Sequence, residues 1–260
     1  MEHTNRSFLY GESVFTTARV RNDEILFLDE HLGRLLAGAH FFWGPFKPAE
    51  LELLKQKILS GMDQQKWQEG VRITLSYDDQ TRQILKNHFD LNQIKIDFLH
   101  FPCGPKKRAK LKSFTVVDEQ NLLPSFLKTS RRNLQTILMH RSEKLMEDES
   151  ALFCGPDQEV FESSWANIFA IKDNVLYTTP VGGSVLDGIM RKKVLLHGQK
   201  EFSCVKIENF KLGWLKTCDF VFLTNALWGI IPVEKIDGTL FNQPTHDFFK
   251  LEKAIYDEEI

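Results

Sequence analysis

Two short runs, Glu162-Ser163-Ser164-Trp165-Ala166-Asn167-Ile168-Phe169 and Gly188-Ile189-Met190-Arg191, carry more of this chain's architecture than any others. The first puts a carboxylate at the start of an apolar run, the pattern of a strand over Ser164–Lys172. The second is a glycine-led start of a helix, read from Gly188 to Gly198. Upstream, Leu127-Lys128-Thr129-Ser130-Arg131-Arg132-Asn133 sets a lysine just ahead of a helical run over Ser130–Met146.

Working outward, Phe8 to Val20 alternates loosely and predicts a strand over Val14–Val20. Asn22-Asp23 is a hairpin-type turn into a second strand, Ile25–Leu28. Asp29 stands as an N-cap ahead of a helix through His31-Leu32-Gly33-Arg34-Leu35-Leu36. Pro48 opens another helix to about Met62 from a favoured first-turn position. Val71, Ile73, Leu75 and Tyr77 alternate with Arg72, Thr74 and Ser76, which predicts a half-buried strand, and Ile94–Phe101 predicts a further one. Cys103-Gly104-Pro105-Lys106-Lys107-Arg108 breaks the pattern and divides the chain into an N-terminal lobe, 1–103, an inter-domain loop, 104–110, and a C-terminal lobe, 111–260. In the second lobe Lys112–Val117, Ala151–Cys154, Val175–Thr178 and Phe220–Leu223 read as strands. Hairpins mixed with helices argue α+β rather than a doubly wound sheet, and the glycine-rich phosphate-binding signatures of the common nucleotide folds do not occur.

The 260 residues suffice for one large domain or two small ones, and 42 % hydrophobic content with 21 Phe supplies a sizeable core. A formal charge of −2 gives no electrostatic case for nucleic acid or an anionic membrane. Only Lys106-Lys107-Arg108, with Lys110 and Lys112, is locally basic; it reads as a solvated loop or as a patch attracting an anionic substrate. Cys103, Cys154, Cys204 and Cys218 have neither the clustering of metal ligands nor the density of a disulfide scaffold, so no metal is expected. They read as reduced core thiols of a cytoplasmic protein. Met1–Arg6 has no apolar signal core, and no run approaches the roughly 20 apolar residues that span a bilayer.

The chemistry-bearing residues form a set. Lys128 is an amine that can attach to an aldehyde and then carry a proton at the neighbouring carbon. Glu162 suits a protonated ring nitrogen. The backbone N–H groups of Ile189 and Met190 sit at a helix N-terminus, where the dipole favours an anion. Lysine, carboxylate and helix start together describe a pyridoxal 5'-phosphate site. In these motifs and their order the chain resembles the class IV aminotransferases, the fold type IV pyridoxal phosphate enzymes. These comprise branched-chain aminotransferases, D-amino acid aminotransferases and aminodeoxychorismate lyases. The resemblance runs from Tyr10-Gly11 to Ile236-Asp237-Gly238, and the intervals of 34 residues from Lys128 to Glu162 and 27 from Glu162 to Ile189 are close to the family's. It implies a two-lobed α+β fold with mixed sheets and helices packed on them, most of the cofactor site in the second lobe, and a homodimer. It also implies that His31-Leu32-Gly33-Arg34-Leu35 is the phosphate-binding arginine motif and that Asn225-Ala226 is another phosphate-contacting loop.

Within the family, Phe15-Thr16-Thr17-Ala18-Arg19-Val20 is similar to the strand of bacterial aminodeoxychorismate lyases, where branched-chain aminotransferases typically have Glu and Gly in place of Thr16 and Thr17. Asp187-Gly188-Ile189-Met190-Arg191 and Asn225-Ala226-Leu227, with Pro232-Val233, point the same way. The resemblance implies elimination from 4-amino-4-deoxychorismate to 4-aminobenzoate and pyruvate, in folate biosynthesis. Lys128 would take the proton at the amino-bearing carbon, and the Thr17 hydroxyl would protonate the leaving enolpyruvate. Transamination of branched-chain or D-amino acids is the second reading. A relative that keeps the fold without catalysis is the third, and intact Lys128, Glu162 and Arg34 speak against it. Some positions depart from the family. Its opening strand ahead of Tyr10-Gly11 is absent, Asn133 stands where Tyr or Leu is common, and Thr74–Asp79 lacks the Arg-Gly that binds substrate carboxylates in many relatives. Arg72 and Tyr10 are left as candidates for binding a small anionic substrate, with the Lys106-Lys107-Arg108 loop.

Overall fold

The computed structural model describes residues 6–63, 68–78, 90–104, 108–116, 124–129, 148–182, 185–244 and 246–257. The chain divides into two compact units, Met1–Cys103 with Phe126–Asn133, and Gly104–Ser125 with Leu134–Ile260. Phe126–Asn133, inside the 111–260 span read above as the second lobe, clusters with the first unit and takes Lys128 with it.

The first unit holds strands β1 (Ser13–Arg21), β2 (Glu24–Ile25), β3 (Gly70–Tyr77) and β4 (Ile94–Phe101) in one antiparallel sheet, ordered β2-β1-β3-β4. Asn22 and Asp23 both adopt left-handed φ values, 53° and 63°, which asparagine and aspartate tolerate and a tight hairpin requires. The second strand is shorter than the expected Ile25–Leu28. Phe27 turns left-handed (φ 57°, ψ 40°) and itself stands at the cap of helix α2 (Leu28–Trp43). Asp29 therefore lies in the first helical turn, not at the N-cap, where its charge still complements the dipole. Short helix α1 (Arg6–Tyr10) precedes the sheet, and α3 (Pro48–Met62) starts at its proline as expected. Helix α2 packs on the face of β1 that carries Val14, Thr16 and Ala18. The approach needs glycine at Gly38, since a Cβ there would stand 2.6 Å from Val14 Cγ1. Leu32, Leu35, Leu54, Ile58, Ile73 and Leu75 fill this core.

The second unit is built on a mixed sheet. Its strands are β5 (Ala109–Thr115), β6 (Glu149–Cys154), β7 (Val160–Ser163), β8 (Asn167–Lys172), β9 (Val175–Thr178), β10 (Cys204–Ile207), β11 (Phe220–Asn225), β12 (Gly229–Ile236) and β13 (Thr239–Leu240). They are ordered β10-β9-β8-β11-β12-β5-β6-β7, with β13 on β12. The pairs β9/β10, β5/β12 and β5/β6 are parallel. Helices α4 (Ile189–Glu201), α5 (Leu212–Leu215) and α6 (His246–Asp257) accompany the sheet. Phe248 of α6 meets Phe220 and Phe222 edge-on at 5.1 and 5.6 Å, and Phe222 stacks on Phe169 at 5.2 Å. Such rings bury large apolar areas and explain part of the phenylalanine content. The strand expected over Ser164–Lys172 begins only at Asn167. Ser163 N–H donates to Ala166 O (2.9 Å) and Ala166 N–H to Ser163 Oγ (3.1 Å), closing a tight turn. Glu162 thus belongs to β7 instead of opening β8. Strand β5 runs Ala109–Thr115 rather than Lys112–Val117. The helix expected over Ser130–Met146 lies outside the described residues. The fold is α+β, as the sequence predicts.

Burial pushes the Cys154 thiol up to about 11 and Cys218 up to about 12, so both stay protonated. Cys103 is only partly buried and Cys204 is exposed, on a strand at the end of the sheet order, so the expected core placement holds for Cys154 and Cys218 alone. A thiol reagent at neutral pH is expected to modify Cys204 in the native protein and to reach Cys154 and Cys218 only after denaturant is added. Labelled peptides containing Cys154 or Cys218 before unfolding would contradict this burial.

Candidate active site

Strand β1 presents different chemistry on its two faces. Toward α2, Thr16 is fully buried and Arg34 Nη2 donates to its Oγ1. The Thr16 hydroxyl proton then goes to Nδ1 of His31, which is also fully buried, at 2.5 Å. Arg34 Nη2, 3.5 Å from the same nitrogen, likewise requires Nδ1 to be an acceptor. His31 is therefore the Nε2-protonated tautomer. Burial, then the charges of Arg34 and Lys128, hold its pKa well below the ordinary histidine value and keep it neutral. Nε2 is buried and has no hydrogen-bond partner among the described residues. The Thr16 hydroxyl is thus committed to orienting Arg34.

On the other face, Phe15, Thr17, Arg72 and Lys128 come together. Phe15 N–H donates to Lys128 O (3.0 Å), and Val14 bridges Thr129, so the lysine segment is pinned along β1. Lys128 Nζ lies 5.3 Å from the Phe15 ring centroid and the Arg72 guanidinium 4.5 Å from it. Arg72 pairs with Thr17 across β1/β3, with Nε 3.5 Å from Thr17 Oγ1. Burial lowers the Arg72 pKa from its ordinary value. Tyr10 closes α1 against Arg6, whose guanidinium is 5.0 Å from the Tyr10 ring and grips Glu12 at 2.7 and 2.6 Å.

In the second unit, Glu162 Oε2 accepts from Asn167 Nδ2 and from Leu186 N–H, each at 2.9 Å. Arg191 is buried, donates to Thr179 O at 2.9 Å, and feels the charges of Asp187 and Glu162. Helix α4 begins at Gly188 with no side-chain cap and no acidic residue in its first turn. The backbone N–H groups of Ile189 and Met190 have no acceptor within the helix and favour an anion. At the β11/β12 turn, Asn225 Oδ1 accepts from Leu227 N–H (3.0 Å) and Trp228 N–H (2.7 Å), so this side chain shapes its own loop. Beside it, Thr224 Oγ1 is buried with no partner among the described residues. An anchored carboxylate, an uncapped helix start and an unspent buried hydroxyl fit a phosphorylated pyridine.

The family profile of class IV aminotransferases matches residues 13–236. The chain belongs to the class IV aminotransferase family. Its members, aminotransferases and lyases alike, depend on pyridoxal phosphate, and pyridoxal 5'-phosphate is the cofactor of this enzyme. The chain is similar to a D-alanine aminotransferase of Listeria monocytogenes, 22 % identical over 236 residues, covering 90 % of this chain and 81 % of the relative. It is also similar to an aminodeoxychorismate lyase of Bacillus subtilis, 23 % identical over 265 residues, covering 98 % and 88 %. A structure of a candidate 4-amino-4-deoxychorismate lyase from Legionella pneumophila is 27 % identical, superimposes with a TM-score of 0.80, and covers 99 % of this chain and 94 % of that one. The fold is that of the fold type IV enzymes.

Of the basic loop, Lys106 and Lys107 lie outside the described residues. Arg108 Nη2 spends itself on the carbonyls of Val233 (3.1 Å), Phe241 (3.3 Å) and Asn242 (2.9 Å), a structural clip within the second unit. Among the described residues no helix is long and apolar enough to cross a membrane, and no group of three His, Cys, Asp or Glu is placed to hold a metal ion. His31, Asn167 and Arg191 were not singled out from sequence. Asn167 carried a usable signal: a polar residue, poor as a β-former, heading the apolar run Ile168-Phe169-Ala170.

Proposed function

We propose that this enzyme is a 4-amino-4-deoxychorismate lyase, releasing pyruvate and leaving 4-aminobenzoate for folate biosynthesis. In this reading Lys128 attaches the cofactor and Arg34 meets its phosphate, while Glu162 serves its ring nitrogen and the Ile189 and Met190 N–H groups and the Asn225-Ala226 loop serve a phosphate. The observation that carries the choice of reaction is the grouping of Lys128, Thr17 and Arg72 around Phe15. Bound pyridoxal phosphate supplies an electron sink beside the amino-bearing carbon. Lys128 removes the proton from that carbon, and the electron pair expels the enolpyruvyl oxygen as the ring becomes aromatic. Thr17 gives the leaving group a proton, a step that transamination does not need. Arg72, stacked and half-buried, offers a cation to a substrate carboxylate in place of the missing Arg-Gly. Tyr10 is a further substrate-side candidate, and the working form is proposed to be a homodimer.

The Listeria relative supports the runner-up, transamination of D- or branched-chain amino acids on the same cofactor site. Pyruvate release from aminodeoxychorismate, compared with amino-group transfer from alanine or branched-chain amino acids to 2-oxoglutarate, separates the two. We expect the lyase rate to exceed the transaminase rate. Thr17→Val removes the hydroxyl at similar volume and is expected to cut the lyase rate about tenfold or more, leaving the cofactor spectrum unaltered. A preparation that transaminates readily but releases no pyruvate would promote the runner-up.

A further inference from the structure

Glu162 and the start of α4 are far apart in the chain, yet the structure ties them through one side chain. Asn167, at the head of β8, is only 4 % exposed. Its Nδ2 donates to Glu162 Oε2 (2.9 Å) and to Leu186 O (2.8 Å). Both partners are acceptors, so the amide orientation is settled by its neighbours, and both of its hydrogens are spent. Leu186 returns the contact, donating its own N–H to Glu162 Oε2 at 2.9 Å. The Leu186 carbonyl also accepts from Gly188 N–H at 2.9 Å. The remaining amide atom, Oδ1, lies against Gly188 so closely that a Cβ there would be 2.1 Å away. Gly188 is the residue from which α4 starts. It is a glycine in ordinary extended backbone (φ −70°, ψ 141°), so space for Asn167, and not backbone freedom, is what demands it.

We infer that Asn167 is a positioning residue that holds Glu162 and the start of α4 as one piece and so sets the spacing between the ring-nitrogen partner and the phosphate donors. This rests on the roles proposed above for Glu162 and for Ile189 and Met190. Asn167 does not itself meet the reacting atoms. Its effect is mutual: loosening either end disturbs the other.

The test crosses the two ends. Asn167→Ala in the full chain is read at the phosphate end, as the affinity of the cofactor-free protein for inorganic phosphate. Gly188→Ala is read at the ring end, as the pH midpoint of the visible absorption band of the cofactor-loaded protein. We expect Asn167→Ala to weaken inorganic phosphate about tenfold. We expect Gly188→Ala to move the band midpoint by about one pH unit although it alters no group at the ring. Asn167→Leu, which is of similar shape and removes the donors without adding a charge, guards against a cavity as the cause and is expected to move the midpoint as well. Phosphate affinity within about twofold of the parent in Asn167→Ala, or an unmoved midpoint in Gly188→Ala, overturns the coupling. Glu162→Gln separates the two levels. If it leaves the midpoint in place, Glu162 is not the ring-nitrogen partner, and the site reading falls together with the coupling. If it shifts the midpoint while Asn167→Leu does not, the coupling alone fails.

Discussion

Lys128→Ala is expected to lower turnover by at least about 10³-fold, because in the proposed function it removes the covalent attachment point and the proton carrier together. Each factor of ten corresponds to about 1.36 kcal/mol of transition-state stabilisation, so the effect amounts to about 4 kcal/mol. The substitution spares the backbone that pins this segment, since Phe15 N–H donates to the carbonyl of residue 128 and Val14 bridges Thr129. Thermal unfolding of the cofactor-free variant should therefore match the parent. In the parent enzyme, borohydride reduction and peptide mapping should find the pyridoxyl group on the peptide containing Lys128. Its recovery on another lysine, or a variant retaining more than about a tenth of the rate, would remove Lys128 from its role.

Glu162→Gln and Arg34→Ala are expected to fail in different ways. Glu162 is held by two N–H donors, and its charge acts on buried Arg191. Glutamine keeps the volume but cannot hold a ring nitrogen protonated. We expect cofactor retention with turnover slowed by at least about 10²-fold. Arg34 is oriented by Thr16, which is in turn held by neutral His31. Alanine there removes the phosphate partner proposed above, so the variant should lose cofactor on dialysis first, with nearly normal rate per bound cofactor. Equilibrium dialysis and single-turnover rates, measured on both variants, check this. Equal loss of colour in the two, with an unaltered rate per bound cofactor, would show that the two residues do not divide the labour in this way.

Where structure follows from neighbouring residues, the sequence by itself was enough. The alternation of Ile94–Phe101 marked β4 to the residue, because side chains with period two can bury only one face. Pro48 marked the start of α3, because its fixed φ and missing N–H suit a first turn. The α+β class was legible for the same reason, since hairpins and helices are local patterns. What tertiary structure alone decided is which groups meet. Phe27 took the cap expected of Asp29, in a left-handed conformation that no propensity predicts for phenylalanine. Strand β12 carries Pro232 between two paired strands, and its ladder to β5 slips at Val233/Lys235, so the pattern of its residues did not announce it. Thr16 and Thr17 are adjacent and alike in sequence, yet one is locked to His31 and Arg34 and the other faces Arg72, because successive side chains of a strand point to opposite faces. Asn167 became the tie between Glu162 and Gly188 only when β7, β8 and the start of α4 were packed together. Hydrogen-bond partners far apart in the chain are selected by packing, and the residues on either side of them carry no record of that choice.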